Sequence, residues 1–121
     1  MSQRTSQAPT PVVSRDELLQ RVEGDMQLLQ DLVEVFREDL PERLRALRDA
    51  LERDDLDAVF AGAHAIKGSV STFAAAAAYE AASQLEDLAR SGKDDGLKTA
   101  TDVLEREISR LQPALREILE S

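Results

Sequence analysis

The sequence predicts an all-α protein, an antiparallel up-and-down four-helix bundle with a short extra N-terminal helix. Three observations carry that expectation. Apolar residues recur at three- and four-residue spacing along most of the chain, the mark of helices that bury one stripe. Aromatics make up only 3% of a chain that is 42% hydrophobic, so its core must rest on Leu, Val, Ile and Ala. Five Gly and four Pro in 121 residues, with few β-branched runs, argue against a sandwich or barrel. That length suits one ordinary domain, large enough to fold without a disulfide or a metal.

The elements follow in order. Met1 to Val13 are polar and aperiodic, and read as a disordered leader or linker ahead of a domain spanning residues 14–121. Ser14 with Glu17 three residues on makes a capping box for a short helix carrying Leu18, Leu19 and Val22 and stopping at Gly24. Asp25 caps the next helix, in which Met26, Leu28, Leu29, Leu32, Val33, Phe36 and Leu40 keep helical spacing. Pro41 either kinks that helix or starts a new one capped by Asp39 or Leu40, and Leu44, Leu47, Ala50 and Leu51 continue the stripe.

Arg53-Asp54-Asp55 breaks the pattern, and either Asp can cap a helix over Leu56–Thr72. A fourth helix is expected over Ala75–Arg90, ending at Ser91-Gly92, with Lys93 to Gly96 as a turn. The last runs over Leu97–Leu119, bent at Pro113. Such short connections place consecutive helices antiparallel.

Charge and composition then exclude whole classes of function. Fifteen Lys+Arg against 24 Asp+Glu leave a net charge of −9, which makes nucleic acid and anionic membrane surfaces poor partners. The absence of cysteine rules out a disulfide scaffold, a thiolate zinc site and a thiol nucleophile. One histidine rules out multi-histidine metal sites. The N-terminus lacks the apolar core of a signal peptide and no long apolar run spans a membrane, so the expected address is the cytoplasm. The acidic cluster Asp54, Asp55 and Asp57 reads as helix capping rather than as a Mg²⁺ site.

The informative helix is the one around His64. At 100° per residue, Leu56, Val59, Ala63, Ile66 and Val70 cluster about 120° to one side of His64, which puts the imidazole at the border of the buried stripe. Beside it lie Ala61, Gly62, Ala65, Gly68 and Ser69, a strip without long side chains in a chain that is 32% charged. Each helix-interior Gly costs about 1 kcal/mol relative to Ala, so stability does not explain the strip. Close approach of another macromolecule does. Lys67 sits about 60° from His64 on the wheel, with Ser71 nearby. A fixed cation beside an imidazole suits an anion at the ring and disfavours a metal. Against this stands the ordinary fate of a lone helical histidine, a surface or boundary residue with no chemistry.

Ala63-His64-Ala65-Ile66-Lys67-Gly68-Ser69 resembles the signature of histidine-containing phosphotransfer (HPt) domains of two-component phosphorelays. The resemblance extends from about Leu18 to Leu119 and includes Gly24-Asp25, Phe36 with Asp39-Leu40-Pro41, and Leu85-Glu86 with Ala89-Arg90 and Gly92. It implies that His64 accepts and donates the phosphoryl group through Nε2, and that Lys67 offsets the phosphoryl charge. It also implies that Gly68, with Ser69 beside it, admits the partner's active site, and that Glu86 orients the imidazole through Nδ1. With Ala61, Ala65 and Ser71, these small residues form the expected docking face.

The chain departs from the family pattern at Ala74-Ala75, where Gly-Ala is usual, and at Ala78 and Ala82, where Leu and Cys are common. The first should disturb the inter-helix turn, since Ala resists positive φ. The others should bring the helices closer or leave smaller core contacts.

The function so implied is a phosphorelay intermediate. It carries a phosphoryl group on His64 between receiver aspartates, or from a sensor histidine kinase to a response-regulator receiver. It needs no cofactor of its own, Mg²⁺ being expected on the receiver, and without ATP-binding motifs it is a phosphocarrier rather than a kinase. A monomer is the simplest state for a surface that meets several partners. The alternatives are a non-phosphorylated helical adaptor and a kinase inhibitor using the same face.

Overall fold

The computed structural model describes residues 12–92 and 95–121. Among them are five helices: α1 (Arg15–Arg21), α2 (Met26–Glu52), α3 (Leu56–Ser71), α4 (Ala76–Arg90) and α5 (Leu97–Glu120). The long helices pack as α2 on α3, α3 on α4, α4 on α5 and α5 back on α2, which closes a four-helix ring. The expected all-α bundle with a short N-terminal helix is what the chain forms.

Local chemistry sets most boundaries. Ser14, Asp25 and Asp55 each accept a backbone N–H in the first turn of α1, α2 and α3, satisfying donors that a helix start leaves unpaired. Only half of the predicted capping box forms: Glu17 turns instead to Arg21, 3.2 Å away. Between the two candidate caps of α3, Asp55 takes the role, while Asp54 occupies a left-handed turn position (φ 55°).

Pro41 and Pro113 both lie inside continuous helices, so Pro41 starts no new helix. Each removes the bond to the carbonyl four residues back, on Arg37 and Ser109. All four residues are exposed, so water can serve those carbonyls, while Leu40 and Leu47 pin α2 into the core on either side of Pro41. Residues 1–11 of the expected leader lie outside the described residues, as do Lys93 and Asp94 of the expected turn. Val13, at the leader's end, is buried in the core.

Burial follows the helical stripes: Leu29, Val33, Phe36 and Leu40 from α2, Val59, Ala63, Ile66 and Val70 from α3, and Leu104, Ile108, Leu111 and Leu115 from α5. Helix α4 contributes Ala78, Ala81, Ala82, Leu85 and Ala89. Its small side chains let α3 and α4 share the most extensive contact in the bundle. That interface sets the reach between His64 on α3 and Glu86 on α4.

The α3–α4 turn keeps a positive φ without glycine. Ala74 sits at φ 56°, in the left-handed region that L-residues populate at a cost of about 1–2 kcal/mol. Its neighbours Phe73 and Ala75 are both buried, and Phe73 packs edge-on against Phe36 with ring centroids 5.1 Å apart. Core packing on both sides imposes the conformation that the side chain disfavours. At the α2–α5 side, Arg48 makes a two-pronged bond to Glu105 (2.9 and 2.6 Å) and a third to Asp102 (2.6 Å).

Candidate functional site

His64 projects from the middle of α3, and its side chain is 66% exposed. Nδ1 lies 2.6 Å from Oε2 of Glu86 on α4. Nδ1 and Nε2 are on opposite sides of the ring, so anchoring one to a buried carboxylate turns the other toward solvent. Oε1 of Glu86 accepts from Nζ of Lys67 at 2.5 Å, so one carboxylate holds both the imidazole and the ammonium.

Glu86 is one of two buried polar residues among those described, and it has two partners to make that burial tolerable. The Lys67 ammonium holds its carboxyl below the ordinary carboxylate range, and the His64 hydrogen bond adds to this against the opposing effect of burial. Reciprocally, the hydrogen bond to Glu86 raises the Lys67 pKa. An ionised Glu86 is an acceptor only, so the hydrogen on Nδ1 is the one it binds. The tautomer this favours leaves the Nε2 lone pair free for nucleophilic attack.

The helix surface around the ring is low. Gly68 is exposed, and a Cβ built on it would meet nothing within 4 Å. No internal contact demands glycine there. Residues 31–114 match the Hpt domain family. The chain belongs to that family. Hpt domains are phosphocarrier modules that exchange phosphoryl groups with receiver domains and histidine kinases, and a phosphotransfer role in two-component signalling follows for this one.

The Hpt domain is also similar in structure to histidine-containing phosphotransfer protein B (HptB) from Pseudomonas aeruginosa PAO1. The TM-score is 0.83 at 26% identity, covering 93% of this chain and 97% of that one. No curated protein sequence matches the chain.

The residues singled out in sequence separate into groups in space. His64, Lys67 and Glu86 come together as a hydrogen-bonded triad. Ala61 and Gly68 are exposed, Ala65 and Ser69 are half-buried, and Ser69 lines a groove with Phe36 and Asp39 of α2. The Ser69 hydroxyl donates to the Ala65 carbonyl at 3.2 Å, and that of Ser71 to the Gly68 carbonyl at 2.8 Å. Ser71 lies toward α1, where its carbonyl accepts from Arg21.

Gly62 does not belong to the open strip. Its Cβ position is 3.4 Å from Cδ1 of Leu47, so this glycine serves the approach of α3 to α2. Among the described residues no group of three or more His, Asp and Glu side chains is arranged to hold a metal ion, and no helix is long and apolar enough to cross a membrane.

Three neighbours of the triad have no site role in the sequence reading. Phe60, one turn before His64, stacks on the imidazole with ring centroids 6.1 Å apart and planes 13° from parallel. Arg90 on α4 lies over the Phe60 ring at 5.4 Å, and Lys67 lies 5.7 Å from the Tyr79 ring. The i−4 spacing of Phe60 was the available signal, but an apolar residue at that spacing reads equally as core.

Proposed function

We propose that this Hpt domain is a phosphorelay intermediate that carries its phosphoryl group on Nε2 of His64. The observation that carries the reading is the bond from an exposed imidazole to a buried carboxylate that also holds a lysine. In the step from a receiver, the Nε2 lone pair attacks the phosphorus of an aspartyl phosphate. The phosphorus–oxygen bond breaks, its electron pair leaves with the receiver carboxylate, and an N–P bond forms. Nδ1 keeps its hydrogen, and Glu86 stabilises the positive charge that develops on the ring. Lys67 offsets the charge of the phosphoryl oxygens. The reverse step delivers the group to another receiver.

Phosphoryl transfer needs mainly alignment and charge stabilisation, so a small domain that supplies an oriented nucleophile can suffice. The receiver supplies the Mg²⁺ and most of the remaining groups. Ala61, Ala65, Gly68, Ser69 and Ser71 form the face on which it docks, and the domain works as a cytoplasmic monomer without kinase activity of its own.

The test is transfer from a phosphorylated receiver to wild type and to His64→Gln. Acid-labile, alkali-stable label on wild type alone is the expected result. If a broad panel of receivers and histidine kinases leaves no label on a folded wild type, the same face belongs to a binding-only adaptor.

A further inference from the structure

A hydrogen bond at one ring atom does not by itself fix a ring. Nδ1 of His64 is tied to Glu86, but rotation about that contact would swing Nε2 through an arc over the α3 surface. Gly68 leaves that side open, so nothing there limits the swing. The remaining restraint comes from Phe60. Its ring runs nearly parallel to the imidazole at 6.1 Å between centroids, within the range of offset stacking. The phenyl ring is itself half-buried and braced, since the Arg90 guanidinium lies 5.4 Å from its centroid.

Two helices therefore meet at the imidazole twice. Glu86 reaches it directly from α4, and Arg90, one turn further along α4, reaches it through Phe60. Arg90 is otherwise held only loosely, 3.7 Å from Asp87 with both side chains exposed.

We infer that Phe60 is a positioning residue for phosphoryl transfer, a flat wall that holds the His64 ring plane so that Nε2 faces the incoming phosphorus. This inference rests on the phosphocarrier reading and adds to it a second restraint, supplied by the residue one helical turn before the nucleophile. Without the wall the imidazole samples additional rotamers, and the rate scales with the fraction of time spent in the competent one. Two or three staggered wells of similar energy in total reduce that fraction by roughly two- to threefold.

The experiment compares wild type, Phe60→Leu, Phe60→Ala and Phe60→Tyr by two measurements. The first is the χ1 and χ2 rotamer distribution of His64 in the unphosphorylated protein, from side-chain NMR couplings. The second is labelling by phosphoramidate, a donor too small to need a docking face, with the maximal labelling rate and the half-saturating donor concentration determined separately and folding checked by circular dichroism. The expected result is one rotamer in wild type and Phe60→Tyr. Phe60→Leu and Phe60→Ala should show averaged couplings and a roughly two- to threefold lower maximal labelling rate at an unchanged half-saturating donor concentration.

Wild-type couplings and a wild-type maximal labelling rate in folded Phe60→Leu would overturn the role of Phe60 while leaving the phosphocarrier reading intact. The same holds if Phe60→Ala lowers only the melting temperature. A wild type that takes label from neither phosphoramidate nor any phosphorylated receiver would remove the phosphocarrier reading, and this role with it.

Discussion

Nδ1 of His64 and Oε2 of Glu86 lie 2.6 Å apart, joining a ring that is 66% exposed to a carboxylate that is 2% exposed. Burial on α4 denies Glu86 other positions, so the carboxylate acts as a fixed point and the imidazole as the group that is aimed. Replacing the charge while keeping the shape isolates this effect. In Glu86→Gln the amide no longer selects one tautomer, and ¹⁵N spectra of His64 should show a mixture where wild type shows Nδ1–H. Transfer from a phosphorylated receiver should fall about tenfold, the lower end of the loss seen when the carboxylate behind a metal-bound imidazole is removed. An unchanged tautomer and rate would show that Glu86 serves only to neutralise Lys67.

Gly68 separates docking from chemistry. Because a side chain there would meet nothing in the domain itself, Gly68→Ala should raise helix stability by about 1 kcal/mol, the propensity difference alone. Gly68→Arg should fold normally and still accept label from phosphoramidate. Its transfer from a receiver should drop at least about tenfold, equivalent to roughly 1.4 kcal/mol of lost binding. Equal rates from a receiver for Gly68→Arg and wild type would place the docking face elsewhere.

The Lys67–Glu86 pair makes stability depend on pH in a defined direction. Glu86 titrates below its ordinary value when folded, so its contribution is present above about pH 4.3 and is lost as pH falls through the folded value. Lys67 titrates above its ordinary value, so its contribution holds below about pH 10.4 and is lost as pH rises through the folded value. Denaturant melts of wild type and Glu86→Gln should therefore differ most between these limits and converge beyond both. A difference that stays constant from pH 3 to 11 would contradict the pairing.

Ala74 offers a gain in stability with no effect on the site. Its φ of 56° is free of strain for glycine, so Ala74→Gly should stabilise the fold by about 1 kcal/mol and raise Tm by about 4 °C. Labelling of His64 should not change. A lower Tm would mean that the entropy glycine adds to the unfolded chain outweighs the relief of strain.

Periodicity and caps carry a long way toward this structure. Ser14, Asp25 and Asp55 start their helices where their side chains can reach unpaired amides, and that chemistry is local to a few residues. The stripe of Val59, Ala63, Ile66 and Val70 puts His64 at the edge of the core from spacing alone, because helical geometry turns sequence spacing into angle. The short motif around His64 marks Lys67 and Gly68 through its resemblance to the family signature.

Contacts between helices are a different matter. Whether Gly62 faces solvent or Leu47 depends on how α2 crosses α3, and the angle from His64 does not contain that information. Pro41 reads as a helix breaker by its missing N–H, yet burial of Leu40 and Leu47 on either side outweighs one lost hydrogen bond. Ala74 reads as a poor turn residue, yet Phe73 and Ala75 in the core hold it at positive φ. The stack of Arg90 on Phe60 and Phe60 on His64 joins residues of two helices. In each case the energy lies in side chains far apart along the chain, so it exists only once the helices have packed.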